Sequence, residues 1–199
     1  MHPDAVIAVV SDHGFAPISH ETNLFRAFID AGLITVDTGG KVTAWEAMPW
    51  PSGGSAAIML ARADDAALTT RVAGVLAKLQ ADPANGIAAI AGRAEIAALR
   101  GNPQASFFVN FSPGNSAGGF GDAVGGLTRA SRIKGTHGYF PAAPAMRSTF
   151  MMIGPGIPQG KSLGEIDMRA IAPTLAAIMH FRLSGAELPA LVYKRGNQP

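Results

Sequence analysis

The chain of 199 residues is 48% hydrophobic and only 15% charged, which excludes an intrinsically disordered protein and fits a fold with much buried surface. Sixteen Lys+Arg against fourteen Asp+Glu leave a formal charge of +2; the only local basic cluster is Arg129, Arg132 and Lys134, so no nucleic-acid-binding patch is evident. Cysteine is absent, which removes disulfides, thiolate metal sites and a cysteine nucleophile.

No apolar run approaches the length of a membrane span. The opening Met1-His2-Pro3-Asp4 does not read as a signal peptide, because it lacks a charged leader and Asp12-His13 soon interrupts the apolar stretch. Composition does not specify a compartment.

The first predicted element is Ala5–Val10, a continuous apolar run suited to a strand buried on both faces of a parallel sheet. It stops at Ser11-Asp12-His13-Gly14, so these polar groups are expected at the carboxyl end of a strand, where open α/β sheets bind ligands. A helix is predicted from about Asn23 to Ala31, capped by Thr22 or Asn23, with Leu24, Phe25, Phe28 and Ile29 on its apolar face and Gly32 ending it. Residues 35–55 read as loop with short strands, and Ala56–Ala61 as a strand. Leu68, Val72, Val75, Leu76 and Leu79 predict a helix over residues 64–79, closed by a turn at Asp82–Gly86.

Short strand and helix signals follow at 87–90 and 94–99, then a strand at Ser106–Phe111. Residues 112–126 hold six glycines and predict a flexible loop; no Lys-Ser/Thr follows, so it is not a phosphate cradle. Ser148–Ile153 is the last strong strand, and a final helix begins near Arg169–Ala172, with Pro173 in its first turn, and ends near His180. Strands alternating with helices indicate an α/β layered fold.

Two places hold metal-ligand chemistry. Asp12-His13 places a carboxylate and an imidazole at a strand end, donors suited to zinc or a similar divalent metal; the same pair can instead hydrogen-bond turn amides. His137 lies between two glycines in Lys134-Gly135-Thr136-His137-Gly138-Tyr139, with access to ligands but little packing support, which also describes a flexible-loop histidine. His2 is terminal, His20 reads as an exposed loop residue and His180 as a helix-end residue. Structural roles are expected for Ser11 and Thr136, and core filling for Met151-Met152.

Val9-Val10-Ser11-Asp12-His13-Gly14-Phe15 resembles the "SDHG" segment of the type I phosphodiesterase/nucleotide pyrophosphatase family, in the alkaline phosphatase superfamily. Gly135–Tyr139, then Met146–Phe150 and Ile153-Gly154-Pro155-Gly156, is similar to that family's second block, and Ile171–Ala176 to the helix after it. The resemblance spans most of the chain, with residues 35–105 only loosely matched. It implies an alkaline-phosphatase-like layered sheet with flanking helices, of which residues 1–199 form the C-terminal portion. It also implies two divalent metal ions, zinc foremost, and a phosphodiester or nucleotide substrate. Asp12 and His13 would bind the metal that contacts a Thr or Ser nucleophile, and His137 the metal that activates water.

The nucleophile, a further Asp and an Asp-x-x-x-His pair of that family have no counterpart, since no histidine has Asp four positions before it. Fewer than three ligands per metal remain, whereas a zinc site takes at least three. The chain is therefore expected to bind metal weakly and to lack turnover by itself. A non-catalytic module of the same fold is the alternative, as is a sulfatase, phosphonate hydrolase or phosphomutase fragment. Self-association through an exposed sheet edge is expected.

Overall fold

The computed structural model describes residues 4–119 and 121–192. The fold is mixed α/β. In chain order, β1 (Ile7–Val10) and β2 (Ala16–Asn23) lead into α1 (Leu24–Asp30), and β3 (Ile34–Val36), β4 (Val42–Trp45), β5 (Ala47–Pro51) and β6 (Ser55–Leu60) precede α2 (Ala66–Ala81). Next come β7 (Ile87–Gly92), α3 (Arg93–Ala98), β8 (Phe107–Phe111) and β9 (Gly114–Gly118), then β10 (Thr128–Ala130), β11 (Gly135–Thr136), β12 (Phe150–Ile153) and α4 (Ile171–Ile178). These elements fall into two compact units, one of Met1–Gly14 with Ser148–Pro199 and the other of Phe15–Arg147.

In the unit Phe15–Arg147, β5, β6, β8 and β7 form an antiparallel sheet in that order. Side chains alternate across a strand, and β6 shows the consequence on both faces. Ala56, Ile58 and Leu60 join the main core with Leu68, Val72 and Leu76 of α2, while Ala57 joins a smaller cluster with Ile96 of α3. The 3.6-residue period of α2 is thus satisfied as its sequence predicts.

The helix α1 also matches its signals. Asn23 accepts a hydrogen bond from the Arg26 amide at 3.0 Å, Leu24, Phe25 and Phe28 are buried, and Gly32 follows with φ +65°. Residues 35–55, expected as loop with short strands, hold most of the β3–β4 hairpin and all of β5.

The second sheet of this unit is built around β2, with β10 and β11 antiparallel to it and β9 parallel. Here the structure corrects the flexible-loop expectation for residues 112–126. Part of that stretch is β9, and Gly118 and Gly119 lie so close to Glu21 and Asn23 that a Cβ on either would collide with those side chains. These two glycines supply close approach, not flexibility. Glu21, nearly buried, accepts hydrogen bonds from Arg129 Nε (3.1 Å) and Ser131 Oγ (2.8 Å), and Arg129 Nη1 also reaches Asp122 at 2.8 Å. One member of the basic cluster is therefore engaged inside the fold.

The unit of residues 1–14 and 148–199 departs most from expectation. β1 pairs antiparallel with β12, from Ile7↔Ile153 to Val10↔Phe150, in a two-stranded ribbon rather than a parallel sheet. Its apolar side chains are not covered: Val9 is 51% and Ile153 65% exposed, and Met151, expected in the core, is exposed as well. A continuous apolar run specifies a strand but neither the direction of its partner nor what packs on its faces.

Ahead of α4, the Asp167 side chain caps a 3₁₀ turn, Met168–Ala170, and forks with Arg169, which also reaches Glu187 at 2.6 Å. Thr174, buried, donates to the Ala170 carbonyl and accepts from the Leu191 amide. No helix among the described residues is long and apolar enough to cross a membrane.

Two outcomes are expected. Asn23→Ala removes both the α1 cap and the 2.9 Å bond from Asn23 to the Asp122 carbonyl, lowering stability by roughly 2 kcal/mol in urea unfolding, with Asn23→Ser recovering about half. Hydrogen bonds from the Arg169 side chain and amide hold the Asp167 carboxyl down at about 2. A depressed carboxylate contributes stability above its unfolded-state value and loses it as pH falls through the folded one. The Arg169 amide should therefore lose hydrogen-exchange protection between about pH 4 and pH 2, and be indifferent to pH above that window.

Candidate functional site

The strand β1 is fastened at its end by Ser11, whose amide donates to the Thr149 carbonyl (3.0 Å) and whose Oγ accepts from the Thr149 amide (2.8 Å). Ser11 thus has the structural role its position suggested. Asp12 and His13 follow immediately, as the sequence predicts. Asp12 Oδ1 accepts the His13 amide at 3.0 Å, so the turn-capping use of this carboxylate is real, but it occupies only one oxygen. The His13 ring places Nδ1 2.8 Å from the Gly14 carbonyl. A carbonyl can only accept, so Nδ1 carries the proton. Nε2 then faces Asp12 Oδ2 at 3.4 Å. With the Asp12 side chain 86% and the His13 side chain 41% exposed, the two atoms converge at a surface a cation can reach. Fixing one imidazole nitrogen on a backbone carbonyl to orient the other is how proteins prepare a histidine ligand.

His137 belongs to the other unit, and its surroundings are tighter than its glycine-flanked sequence suggests. Gly135 and Thr136 pair with Pro17 and Ala16 of β2. The His137 carbonyl accepts the Gly54 amide at 2.7 Å. Gly53, at φ +73°, lies so close to the His137 carbonyl and Thr136 Oγ1 that a Cβ would strike both. A Cβ on Gly54 would enter the Tyr139 ring, and one on Gly138, at φ +83°, would strike the Ser52 carbonyl.

Beyond it, Tyr139 is 8% exposed and donates its hydroxyl to the Asn115 carbonyl at 2.6 Å, and the Phe140 amide donates to Asn110 Oδ1 at 2.9 Å. Burial pushes the Tyr139 phenol up. The expectation of a loop with little packing support is therefore corrected: His137 presents an exposed side chain on a backbone strapped down from both sides. Gly53, Gly54, Tyr139 and Asn110 were not singled out in the sequence. The Ser52-Gly53-Gly54 turn signal was visible, but nothing local named the segment it receives.

The remaining histidines divide differently from their predicted roles. His20 is exposed, as expected, but lies within β2 rather than a loop, with Nδ1 2.8 Å from Ser19 Oγ. The backbone of His180 closes α4 at φ +60°, its amide donating to Ala177. His2 lies outside the described residues. Thr136 is buried beside the Gly53 turn, the structural role expected of it.

Asp12 and His13 fit a divalent metal in donor chemistry but not in number. Among the described residues, no three His, Cys, Asp or Glu side chains are gathered to hold an ion, whereas zinc takes three or four protein donors. Comparison of the sequence with family models and with curated proteins finds no match.

Two substitutions test the seating of His137. Gly138→Ala forces a Cβ into the Ser52 carbonyl at a left-handed backbone position and should lower stability by about 3 kcal/mol. Tyr139→Phe removes one buried hydrogen bond and should cost roughly 1–2 kcal/mol in urea unfolding. Both should shift the His137 imidazole resonances in ¹H–¹⁵N spectra; an unshifted His137 would show that the straps do not set its position.

Proposed function

We propose that this chain supplies Asp12, His13 and His137 to a two-metal phosphodiester or pyrophosphate hydrolase of the type I phosphodiesterase/nucleotide pyrophosphatase kind, as the C-terminal portion of an alkaline-phosphatase-like catalytic domain. The observation that carries the reading is the turn after β1. There His13 Nδ1 is fixed on the Gly14 carbonyl and Nε2 converges with Asp12 Oδ2. The order of the two glycine-histidine segments, and the rigid backbone under His137, support it further. Metal ions in such a site polarise the phosphoryl oxygens and stabilise the attacking and leaving oxygens. What these residues contribute is narrower: oriented donor atoms at strand ends, with no nucleophile among them.

The donor count bears on activity. Two adjacent donors make half a zinc site, so metal binding by this chain is weak and turnover requires groups these residues do not provide. The same count fits a second reading equally well, a non-catalytic binding module of this fold. The exposed apolar ribbon of β1 and β12 belongs to the proposal as a self-pairing edge, because an isolated two-stranded ribbon is marginal in water and an uncharged edge strand is a template for another.

Zinc titration of ¹⁵N-histidine-labelled protein should shift His13 and His137 at millimolar metal, with the His13 response abolished in Asp12→Ala. Hydrolysis of bis-p-nitrophenyl phosphate with zinc should stay at background. Metal-dependent turnover would overturn the claim that the site is incomplete, and zinc-indifferent histidines would overturn the metal reading itself. Light scattering should detect dimers or larger species, and a clean monomer at high concentration counts against pairing through the ribbon.

A further inference from the structure

The turn predicted at Asp82–Gly86 holds the one Asn-Gly pair in the sequence, Asn85-Gly86. In the fold this pair is a meeting point. Asp82 caps a 3₁₀ turn, Pro83–Asn85, and Gly86 closes it at φ +60° with its amide on the Pro83 carbonyl (3.0 Å). Asn85 is 3% exposed. Its Nδ2 donates to the Leu79 carbonyl near the end of α2 (2.8 Å), and its own carbonyl accepts from Thr22 Oγ1 of β2 (2.8 Å). The Gly86 carbonyl accepts the Ser112 amide (2.7 Å), and the Asn115 side chain lies where a Cβ on Gly86 would be. Asn85 Oδ1 meets no donor among the described residues.

Asparagine followed by glycine is a pair in which a chain readily attacks itself. The Gly86 amide gives its proton to hydroxide and its nitrogen bonds to Asn85 Cγ. The Cγ–Nδ2 bond breaks, and the leaving group takes a proton from water to depart as ammonia, closing a succinimide ring. Water then opens the ring at either carbonyl, giving aspartate or isoaspartate, with no change of oxidation state. Glycine permits this because no Cβ shields its nitrogen and its backbone turns freely. The reaction needs a bare nitrogen and a side chain swung onto it. In the fold both are committed elsewhere, the nitrogen to the Pro83 carbonyl and the side-chain amide to Leu79.

We propose that Asn85-Gly86 is a latent deamidation site, closed while residues 82–86 hold their turn and opened when that turn is lost, and that reaction there is one-way for the fold. It is one-way because neither product fits. An aspartate formed there puts a carboxylate oxygen where Nδ2 now donates, acceptor against the Leu79 carbonyl, while its other oxygen inherits the place of Oδ1, which meets no donor. A buried carboxylate without donors is costly. Isoaspartate routes the main chain through the side-chain carbon, which moves the neighbouring carbonyls off Thr22 Oγ1 and the Ser112 amide. Those bonds tie the turn after α2 to β2 and to the connection between β8 and β9. A molecule that reacts while open therefore does not regain the native turn, and the pair records opening of this part of the unit.

The test incubates the full chain in mildly alkaline buffer, folded and in unfolding urea, and follows residue 85 by peptide mapping with mass spectrometry. In urea, aspartate and isoaspartate should accumulate there; in the folded protein they should form about a hundredfold more slowly, because a buried turn opens seldom. Thr22→Val keeps the shape of the side chain and removes its bond to the Asn85 carbonyl, so this variant, folded, should deamidate several-fold faster than the folded parent. Asn85→Asp should unfold at lower urea than the parent, whereas Asn102→Asp, the same change at an exposed residue, should not. Equal rates in folded and unfolded protein, or no reaction at residue 85 in urea, overturns the proposal. A Thr22→Val rate no higher than the parent's overturns the turn as the gate, and an unchanged urea midpoint in Asn85→Asp overturns the one-way step. Failure of Asn85→Asp to fold supports that step, and the comparison of the parent folded and in urea decides the latent site without any variant.

Discussion

The contact on which the Phe15–Arg147 unit depends is backbone against backbone: residues 135–139 lie directly on the turn at Ser52–Gly54. Gly53 and Gly54 on one side and Gly138 on the other leave no room for a β-carbon, and the Gly54 amide is satisfied by the His137 carbonyl. This approach couples the two four-stranded sheets of the unit. One end of the docked segment is β11, laddered to β2, and the other is tied through Tyr139 to β9 and through Phe140 to Asn110 on β8. A histidine held this way keeps its side chain at the surface while its main chain has little freedom. Low entropy on the backbone and open access at the ring together are what a ligand-binding histidine needs.

A second constraint works by charge. Glu21 points inward from β2, and its cost of burial is offset by Arg129 on the pairing strand β10 and by Ser131 just past that strand's end. Arg129 also reaches Asp122, drawing the turn at Asp122–Gly125 against the sheet. What composition alone describes as a basic cluster thus splits by function. One guanidinium is a structural cross-link, while Arg132 and Lys134, three and five residues further on, stay exposed between β10 and β11. The Asp122 carboxyl is held below its ordinary value, foremost by the Gly125 amide and also by Arg129, as expected for a charge that fastens a turn.

The unit of residues 1–14 and 148–199 is organised by the β1–β12 ribbon. Ser11 and Thr149 exchange two hydrogen bonds at its end, which sets where the strand stops and the Asp12–His13 turn begins. The convergence of Asp12 Oδ2 with His13 Nε2 follows from that stop and from the Gly14 carbonyl that occupies the other ring nitrogen. Apolar side chains on both strands of the ribbon remain in solvent, and the local geometry at its end owes nothing to packing on its faces.

Much of the fold could be read from local patterns. The α1 cap and stop, the buried stripe of α2, the short strands at 56–61, 87–90 and 106–111, and the placement of Asp12 and His13 after a strand all follow from periodicity and capping chemistry. These signals lie within a few residues of the structure they specify. The direction of the β1 partner, the exposure of Met151, and the conversion of a glycine-rich stretch into β9 were not legible, because each depends on a segment distant in sequence. His137 shows the division most clearly. The sequence by itself placed a histidine between glycines and suggested a mobile loop. Tertiary structure decided that those glycines are there for contact, since whether a missing β-carbon means freedom or close approach depends on what lies against it.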